Sequence, residues 1–240
     1  MAVRVLQERR QIDEARAEMD RRSLSTLSQD VPVKGLVGRL LGRRCTVERG
    51  NPLKSWDVLA TVEFIEANYP RTARVLDVGA WNSEVLWALH RAGFPDLTGI
   101  DVNPEVREMP FAEAIRYEVG DYLKSSPSAP SFDVVTAISV IEHGFDAQAL
   151  LDALRRLLAP GGSFVASFDY WPEKIDTSGS PLFGMPWTIF SREEVEAFLA
   201  KAQAAGFEQP DGVSLEARER PIRFADRDYT FGWLAFRRAR

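Results

Sequence analysis

Short runs of apolar residues alternate with longer amphipathic stretches from Arg74 to the end of the chain. Val75, Leu76 and Val78 form the first run, which breaks at Gly79. Val85, Leu86, Ala88 and Leu89 then recur at helical spacing. That pattern predicts a strand, a tight turn and a helix. Similar units follow, with strands predicted over 97–102, 115–119, 132–140 and 163–168 and helices over 83–92, 147–158 and 191–205. The run from Phe132 to Val140 is nearly all apolar, as expected of a strand buried on both faces. Ser191-Arg-Glu-Glu194 has the spacing of a capping box. Pro160-Gly161-Gly162 reads as a hard turn, and two last strands are predicted at 213–217 and 231–237. Repeated β-then-α units of this length imply a mostly parallel sheet with helices on both faces, an α/β doubly wound domain.

The first 54 residues lack this rhythm. Residues 3–22 read as a polar helix with a thin stripe of Val5, Ile12 and Met19. Such a helix is hardly stable alone and needs a partner: the domain, a second subunit or a ligand. Ser23 to Asp30 is a break, Val33 to Leu41 is short and amphipathic, and Gly50-Asn-Pro is a turn. Trp56 to Asn68 carries enough apolar positions for a helix packed on the core. The expected organisation is an N-terminal helical arm or lid over 1–54 and one domain over 55–240.

Charge sharpens that division. Residues 1–54 hold 12 Lys/Arg against 7 Asp/Glu, a net of +5, while the remainder nets −10. A basic arm packed on its own acidic domain accounts for this, and a homodimer through the arm is a second arrangement. The overall charge of −5 argues against a dedicated nucleic-acid binder. No apolar stretch is long enough to span a bilayer, and the N-terminus lacks a signal-peptide apolar region. The single cysteine, Cys45, forms no internal disulfide and no metal cluster, so a reducing, cytoplasmic setting is expected.

Candidate chemistry gathers at the predicted strand ends. Asp77 lies two residues before Gly79, and the second strand ends in Asp101, 22 residues after that glycine. Adjacent parallel strands align their carboxyl ends, so Asp101 falls beside the first turn, where a carboxylate can accept both hydroxyls of a ribose. Its alternative role is to cap the Asp-Val-Asn-Pro turn. The turn Gly79-Ala80-Trp81-Asn82-Ser83 has one glycine, not the G-x-G-x-x-G of a dinucleotide site. Asp77 would repel a pyrophosphate but could accept from an ammonium, which suits an amino-acid-bearing nucleoside.

These residues resemble a known family. Val-Leu-Asp-Val-Gly-Ala-Trp-Asn-Ser is similar to motif I of the class I S-adenosylmethionine-dependent methyltransferases, and Ile100-Asp101-Val102-Asn103 to their acidic ribose motif. Gly120-Asp121-Tyr122, the run Phe132 to His143, and Leu158-Ala-Pro-Gly-Gly-Ser-Phe are similar to the later motifs, in order. The resemblance covers roughly residues 55–240. It implies a Rossmann-like seven-stranded sheet of order 3-2-1-4-5-7-6 with strand seven antiparallel, and S-adenosyl-L-methionine as cofactor. It would place Asp77, Gly79, Ala80 and Trp81 at the methionine part and Asp101 with Val102 at the ribose. Asp121 and Tyr122 would serve the adenine, and Ser139 and Val140 would line the cofactor. The family usually has glycines where Trp81 and Ser83 stand here.

The acceptor is expected to be a small molecule, a biosynthetic metabolite or sugar. Glu142 and His143 follow the fourth strand and are the candidate acid-base residues; their alternative is to start the next segment and bond its backbone. The long loop 169–190 carries Tyr170, Trp171 and Trp187 as candidate substrate contacts, though its aromatics could equally fill a satellite core. The acidic domain disfavours the alternatives of an RNA or protein substrate. Trp81 and Ser83 keep open a degenerate, non-catalytic binding module. No metal is expected.

Overall fold

The computed structural model describes residues 2–25, 28–32, 44–48, 50–124, 131–208 and 210–240, with side chains described outside 26–49. The expected helix over 33–41 and the thiol of Cys45 lie outside what is described. The chain begins with strand β1 (Ala2–Val5) and helix α1 (Arg10–Arg21). A hairpin, β2 (Ser28–Pro32) and β3 (Arg44–Glu48), follows as a separate two-stranded sheet. A 3-10 turn, Pro52–Lys54, leads into α2 (Ser55–Asn68).

From there strands and helices alternate: β4 (Val75–Val78), α3 (Val85–Arg91), β5 (Leu97–Asp101), β6 (Arg116–Val119) and β7 (Phe132–Ile138). Next come α4 (Ala147–Leu157), β8 (Leu158–Tyr170) and α5 (Arg192–Ala204). The chain ends with β9 (Phe207–Glu208), β10 (Gly212–Val213), β11 (Ile222–Phe224) and β12 (Arg227–Arg238). The predicted capping box at Ser191 and Glu194 is present in both directions.

The main sheet runs β10-β1-β12-β8-β7-β4-β5-β6. Strands β6, β5, β4, β7 and β8 are mutually parallel, and β12 is antiparallel to β8. Successive residues point to opposite faces, as strand geometry requires. Leu76, Val135, Phe164 and Phe236 pack with α4 and α5, whereas Val75, Val134, Val165 and Ala235 pack with α2 and α3.

Three expectations change. Residues 3–22 are not one helix: β1 occupies 2–5, and only 10–21 are helical. Val3 and Val5 are buried and β1 lies antiparallel along β12, so the apolar N-terminal residues complete the sheet. The order matches 3-2-1-4-5-7, but the outer edge of strand seven is shared: β1 pairs along Gly232–Ala235, and the two-residue β9 after α5 pairs antiparallel at Arg237 and Arg238. The two-residue β10 pairs outside β1. A third change is that the Pro160-Gly161-Gly162 turn does not precede the strand but lies within β8, which starts at Leu158. It makes a register shift inside β8 where that strand meets β7.

Candidate active site

The carboxyl ends of β4, β5 and β7 converge on one loop. Gly79 adopts φ +71°, and an added Cβ there would meet Val140 Cγ2 at 2.3 Å. Only glycine fits that turn against Val140. The Gly79 and Ala80 N–H groups donate to the Ile100 carbonyl at 2.9 and 3.2 Å, which ties the loop to β5.

Asp77 is fully buried and accepts the Thr136 hydroxyl at 2.6 Å on Oδ1, while Oδ2 has no partner. Burial raises its pKa to about 7, with Thr136 and Ser83 opposing and Asp101 adding to the rise. Asp101 accepts the Asn103 N–H at 2.7 Å on Oδ1 and the Trp81 N–H at 2.9 Å on Oδ2. Each oxygen keeps a lone pair for a further donor. Val102, next to it, is 66% exposed, and Asp121 accepts the Leu123 N–H at 3.0 Å and pairs with Lys124. An orphaned buried acceptor, a glycine cradle and a carboxylate with two spare lone pairs fit an ammonium-bearing nucleoside.

The Trp81 side chain is 39% exposed, so its structural part here is played by its backbone. The loop is held from behind by Glu84, buried at the start of α3, which forms an ion pair of 2.7 Å with Arg16 of α1. Arg16 also bonds Ser25 and Ser55.

A second polar group lies where β7 and β8 end. Lys54 Nζ is 2.6 Å from Asp57 Oδ2, bonds Ser139 Oγ, and sits 3.3 Å from the centre of the Phe231 ring. Asp57 is fully buried and also accepts the Ser167 hydroxyl at 2.7 Å. Asp169 accepts the Trp187 indole N–H at 2.8 Å, and the Tyr229 hydroxyl is in bonding reach. Glu142 is buried beside them, and its Oε2 has no partner. Burial, then the nearby Asp169, pushes the Glu142 carboxyl well above its usual range, with Lys54 opposing. Burial raises Asp169 to about 6, held down by Lys54 and by its bonds to Trp187 and Tyr229.

His143 has a buried Nδ1 without a partner, and its ring meets Phe183 edge-on at 5.2 Å between centres. Burial lowers its pKa, which keeps it neutral near pH 7. Thr188 N–H bonds the Glu142 carbonyl and Gly144 N–H bonds the Pro186 carbonyl, so loop 171–190 is zipped onto the end of β7. Ser139, at φ +53°, takes the Lys54 bond, and Tyr122 packs against the main core.

Of the two arrangements expected for the aromatic loop residues, Tyr170 and Trp187 take the buried one. Tyr170 is fully buried at the end of β8, and its hydroxyl donates to the Leu215 carbonyl at 2.6 Å. With its only polar group committed and its ring in the core, it has nothing to offer a substrate. Trp187 is 3% exposed in a satellite core with Leu6, Ile12, Tyr229 and Phe231. It reaches the site through its bond to Asp169, not through its ring face. Trp171 packs against the same core under the Arg220 guanidinium, 4.2 Å from the ring centre.

The sequence does not single out Lys54 and Asp57, and their one signal is the register of α2. In that helix Asp57 is a charged residue on a face otherwise carrying Val58, Thr61 and Val62. Among the described residues no group of three or more His, Cys, Asp or Glu is placed to hold a metal ion. Likewise no described helix is long and apolar enough to cross a membrane.

Comparison with known proteins agrees with this geometry. A family model described as a methyltransferase domain matches residues 55–208. A ubiquinone biosynthesis O-methyltransferase from Psychrobacter arcticus is 32% identical over 144 residues, 52% of this chain and 56% of that relative. One from Xanthomonas axonopodis pv. citri is 33% identical over 114 residues, 44% and 47% of the two chains. The chain thus spans about half the length of the curated relatives it matches. Among solved structures, an S-adenosylmethionine-bound amino pentose methyltransferase from Micromonospora echinaspora aligns with a TM-score of 0.51 at 20% identity, covering 76% of this chain and 90% of that one. An S-adenosylmethionine-dependent methyltransferase from Mesorhizobium loti gives 0.51 at 18% identity, covering 73% and 96%. At such identities the structural likeness is one of fold. The family match spans Asp77, Asp101, Asp121 and Glu142, and on that ground the chain belongs to the methyltransferase-domain family.

Proposed function

We propose that the protein methylates a hydroxyl or amine of a small molecule seated at the ends of β7 and β8, with Glu142 as the base. The unpartnered Oε2 of the buried Glu142 carries this reading. A buried carboxylate oxygen left without a donor is costly, and a donor on the acceptor would satisfy it.

S-adenosylmethionine supplies, when bound, a methyl group on a sulfonium. On this reading Asp77 Oδ2 faces the cofactor's amino group, Asp101 takes its ribose hydroxyls, and Asp121 with Val102 and Tyr122 borders its adenine. Val140 and Gly79 shape the wall between the cofactor and the end of β7. Glu142 accepts the acceptor's proton as the new bond to the methyl carbon forms and the carbon–sulfur bond breaks. The neutral, partly buried His143 narrows the entrance together with Phe183. The surrounding carboxylates disfavour an anionic acceptor, and the folded-down loop 171–190 favours a small one over a macromolecule. The curated relatives' O-methyltransferase names are compatible with a hydroxyl acceptor.

The test is to incubate the protein with methyl-labelled S-adenosylmethionine and a cell extract, then separate small molecules from macromolecules. Label in the low-molecular-weight fraction, lost in Glu142→Gln, is the expected result. Label confined to protein or RNA would overturn the small-molecule reading.

A further inference from the structure

Lys54 is the cation of the acceptor end, and its position is over-determined. It ends the 3-10 turn before α2, and its side chain is 13% exposed. Its ammonium is fixed by Asp57, by the Ser139 hydroxyl and by the face of Phe231. Those contacts come from three separate elements: the start of α2, the end of β7, and β12. A lysine held so tightly among buried carboxylates has lost the freedom that surface lysines keep.

The groups facing Glu142 are Lys54 from the α2 entrance, Ser139 and the adjoining His143 from the end of β7, and Asp169 from β8, with Asp57 behind Lys54 and near Asp169. Tyr122 follows β6 and Tyr229 belongs to β12. Asp57 is satisfied by Lys54, by Ser167 and by the Val58 N–H at 3.1 Å. Asp169 is held by Trp187. Glu142 keeps an oxygen with no donor. Among these groups Lys54 is the cation: its direct partner is Asp57, and its charge also acts on Glu142 and Asp169.

We infer that Lys54 is a positioning residue for methyl transfer: pinned between Asp57 and Ser139, its ammonium is the internal counter-ion that allows Glu142 to ionise and leaves Oε2 free for the acceptor's proton. The inference rests on the reading of Glu142 as the base, but its central physical claim concerns Glu142 alone. Without the ammonium, two buried carboxylates would face each other and the pair would hold a proton to higher pH. The substitution Lys54→Arg keeps the charge but not the compact geometry, and Lys54→Met keeps the stem and loses the charge.

The experiment is a carboxyl titration of the protein itself, with no acceptor needed. Protein labelled with ¹³C at glutamate side-chain carboxyls is titrated by NMR, and the Glu142 signal is assigned by its loss in Glu142→Gln. In Lys54→Met the Glu142 midpoint should rise by about one pH unit or more, the size that removing a close opposite charge gives a carboxyl. Lys54→Arg should return most of that shift. A midpoint in Lys54→Met within a few tenths of the wild-type value would overturn the inference, because a lysine with only a packing role leaves it unmoved. Should Lys54→Met not fold, the wild-type protein carries the test. Its Lys54 ¹⁵Nζ signal, assigned through Lys54→Arg, should step at the pH where Glu142 titrates, and the step should vanish in Glu142→Gln. Absence of that step overturns the inference. Neither measurement depends on finding the acceptor. A shift seen while Glu142→Gln retains full turnover would therefore remove the base reading and leave the lysine's hold on Glu142 standing.

Discussion

The two ends of the site are built by different means. At the cofactor end Asp101 and Asp121 are each held by a backbone N–H two residues on, from Asn103 and Leu123. Asp101 takes a second N–H from Trp81, and Asp77 alone depends on a distant strand, through Thr136. At the acceptor end the bonds span long stretches of chain, 85 residues from Lys54 to Ser139 and 110 from Ser167 to Asp57. A local turn reproduces its geometry wherever its short motif occurs. A long-range cluster exists only once the sheet and α2 have packed. The first arrangement suits a fixed cofactor. The second can differ between relatives that share the fold and methylate different molecules.

Four substitutions would break or sharpen that contrast. The largest effect is expected from Glu142→Gln. Removing a general base costs about 10²- to 10⁴-fold in turnover. Cofactor affinity should stay within about threefold, since the amide keeps the shape and the cofactor groups lie on other strands. Calorimetry with S-adenosylmethionine beside a turnover assay separates the two ends, and a parallel loss of both would mean that they are not independent.

Asp101→Ala should act on the other side only. It removes a charged acceptor for two hydroxyls and frees the Trp81 and Asn103 N–H groups. Hydrogen bonds to charged groups contribute about 1.5–3 kcal/mol each. For two bonds a loss of about two to four orders of magnitude in cofactor affinity is expected, with turnover at saturating cofactor less affected. Unchanged affinity by titration would remove Asp101 from the ribose.

Asp77 predicts a pH dependence. Its pKa is raised to about 7 in the folded protein from an ordinary 3.8. A raised carboxyl pKa stabilises the fold fully below the ordinary value, and that contribution is lost as pH rises through about 7. The cofactor's ammonium favours the ionised form, so the sign reverses for binding. Affinity should fall as pH drops below about 7, by at most tenfold per unit for one proton, and binding at pH 6.5 should release a fraction of a proton. Calorimetry in two buffers of different ionisation heat measures that release. Asp77→Asn should abolish it, and equal heats in both buffers for the wild type would show that Asp77 does not ionise on binding.

The same contrast explains what can be read from sequence. The strands β4, β5 and β7, the turn at Gly79 and the acids Asp77 and Asp101 are written in contiguous residues, where apolar period and a glycine suffice, while Asp121 is pointed to by the family resemblance. The insertion of β1 into the sheet is not legible, because Ala2–Val5 carries no sign of which edge it will join. The stripe of Val5, Ile12 and Met19 reads as one helix since all three become buried, though Val5 does so from a strand. Tyr170 and Trp187 read as substrate contacts because aromatic residues in a long loop do not declare whether they face out or in. Burial decides it: Tyr170 spends its hydroxyl on Leu215, and Trp187 spends its indole N–H on Asp169. Lys54 escapes notice for the opposite reason, since a lysine after a turn ordinarily stays in water.

Trp81 supplies the smallest and most discriminating effect. It stands where the family favours glycine, and a bulky residue there invites the reading of a damaged cofactor loop. In the structure Trp81 leaves a 39%-exposed side chain at the surface and gives Asp101 its backbone N–H at 2.9 Å. An N–H is common to tryptophan, alanine and glycine alike, so the loop can keep its hold on Asp101 whatever side chain sits there. Trp81→Ala should therefore weaken cofactor binding at most a few-fold, through a looser placing of the N–H that Asp101 accepts. That is well short of the loss in Asp101→Ala. A double variant should behave like Asp101→Ala alone, because the Trp81 N–H has no acceptor left to orient. Titration of the two single variants and the double variant reads this directly. An additive loss would mean that the indole binds the cofactor in its own right, and the departure at this position would then be an adaptation of the cofactor end, not a neutral change.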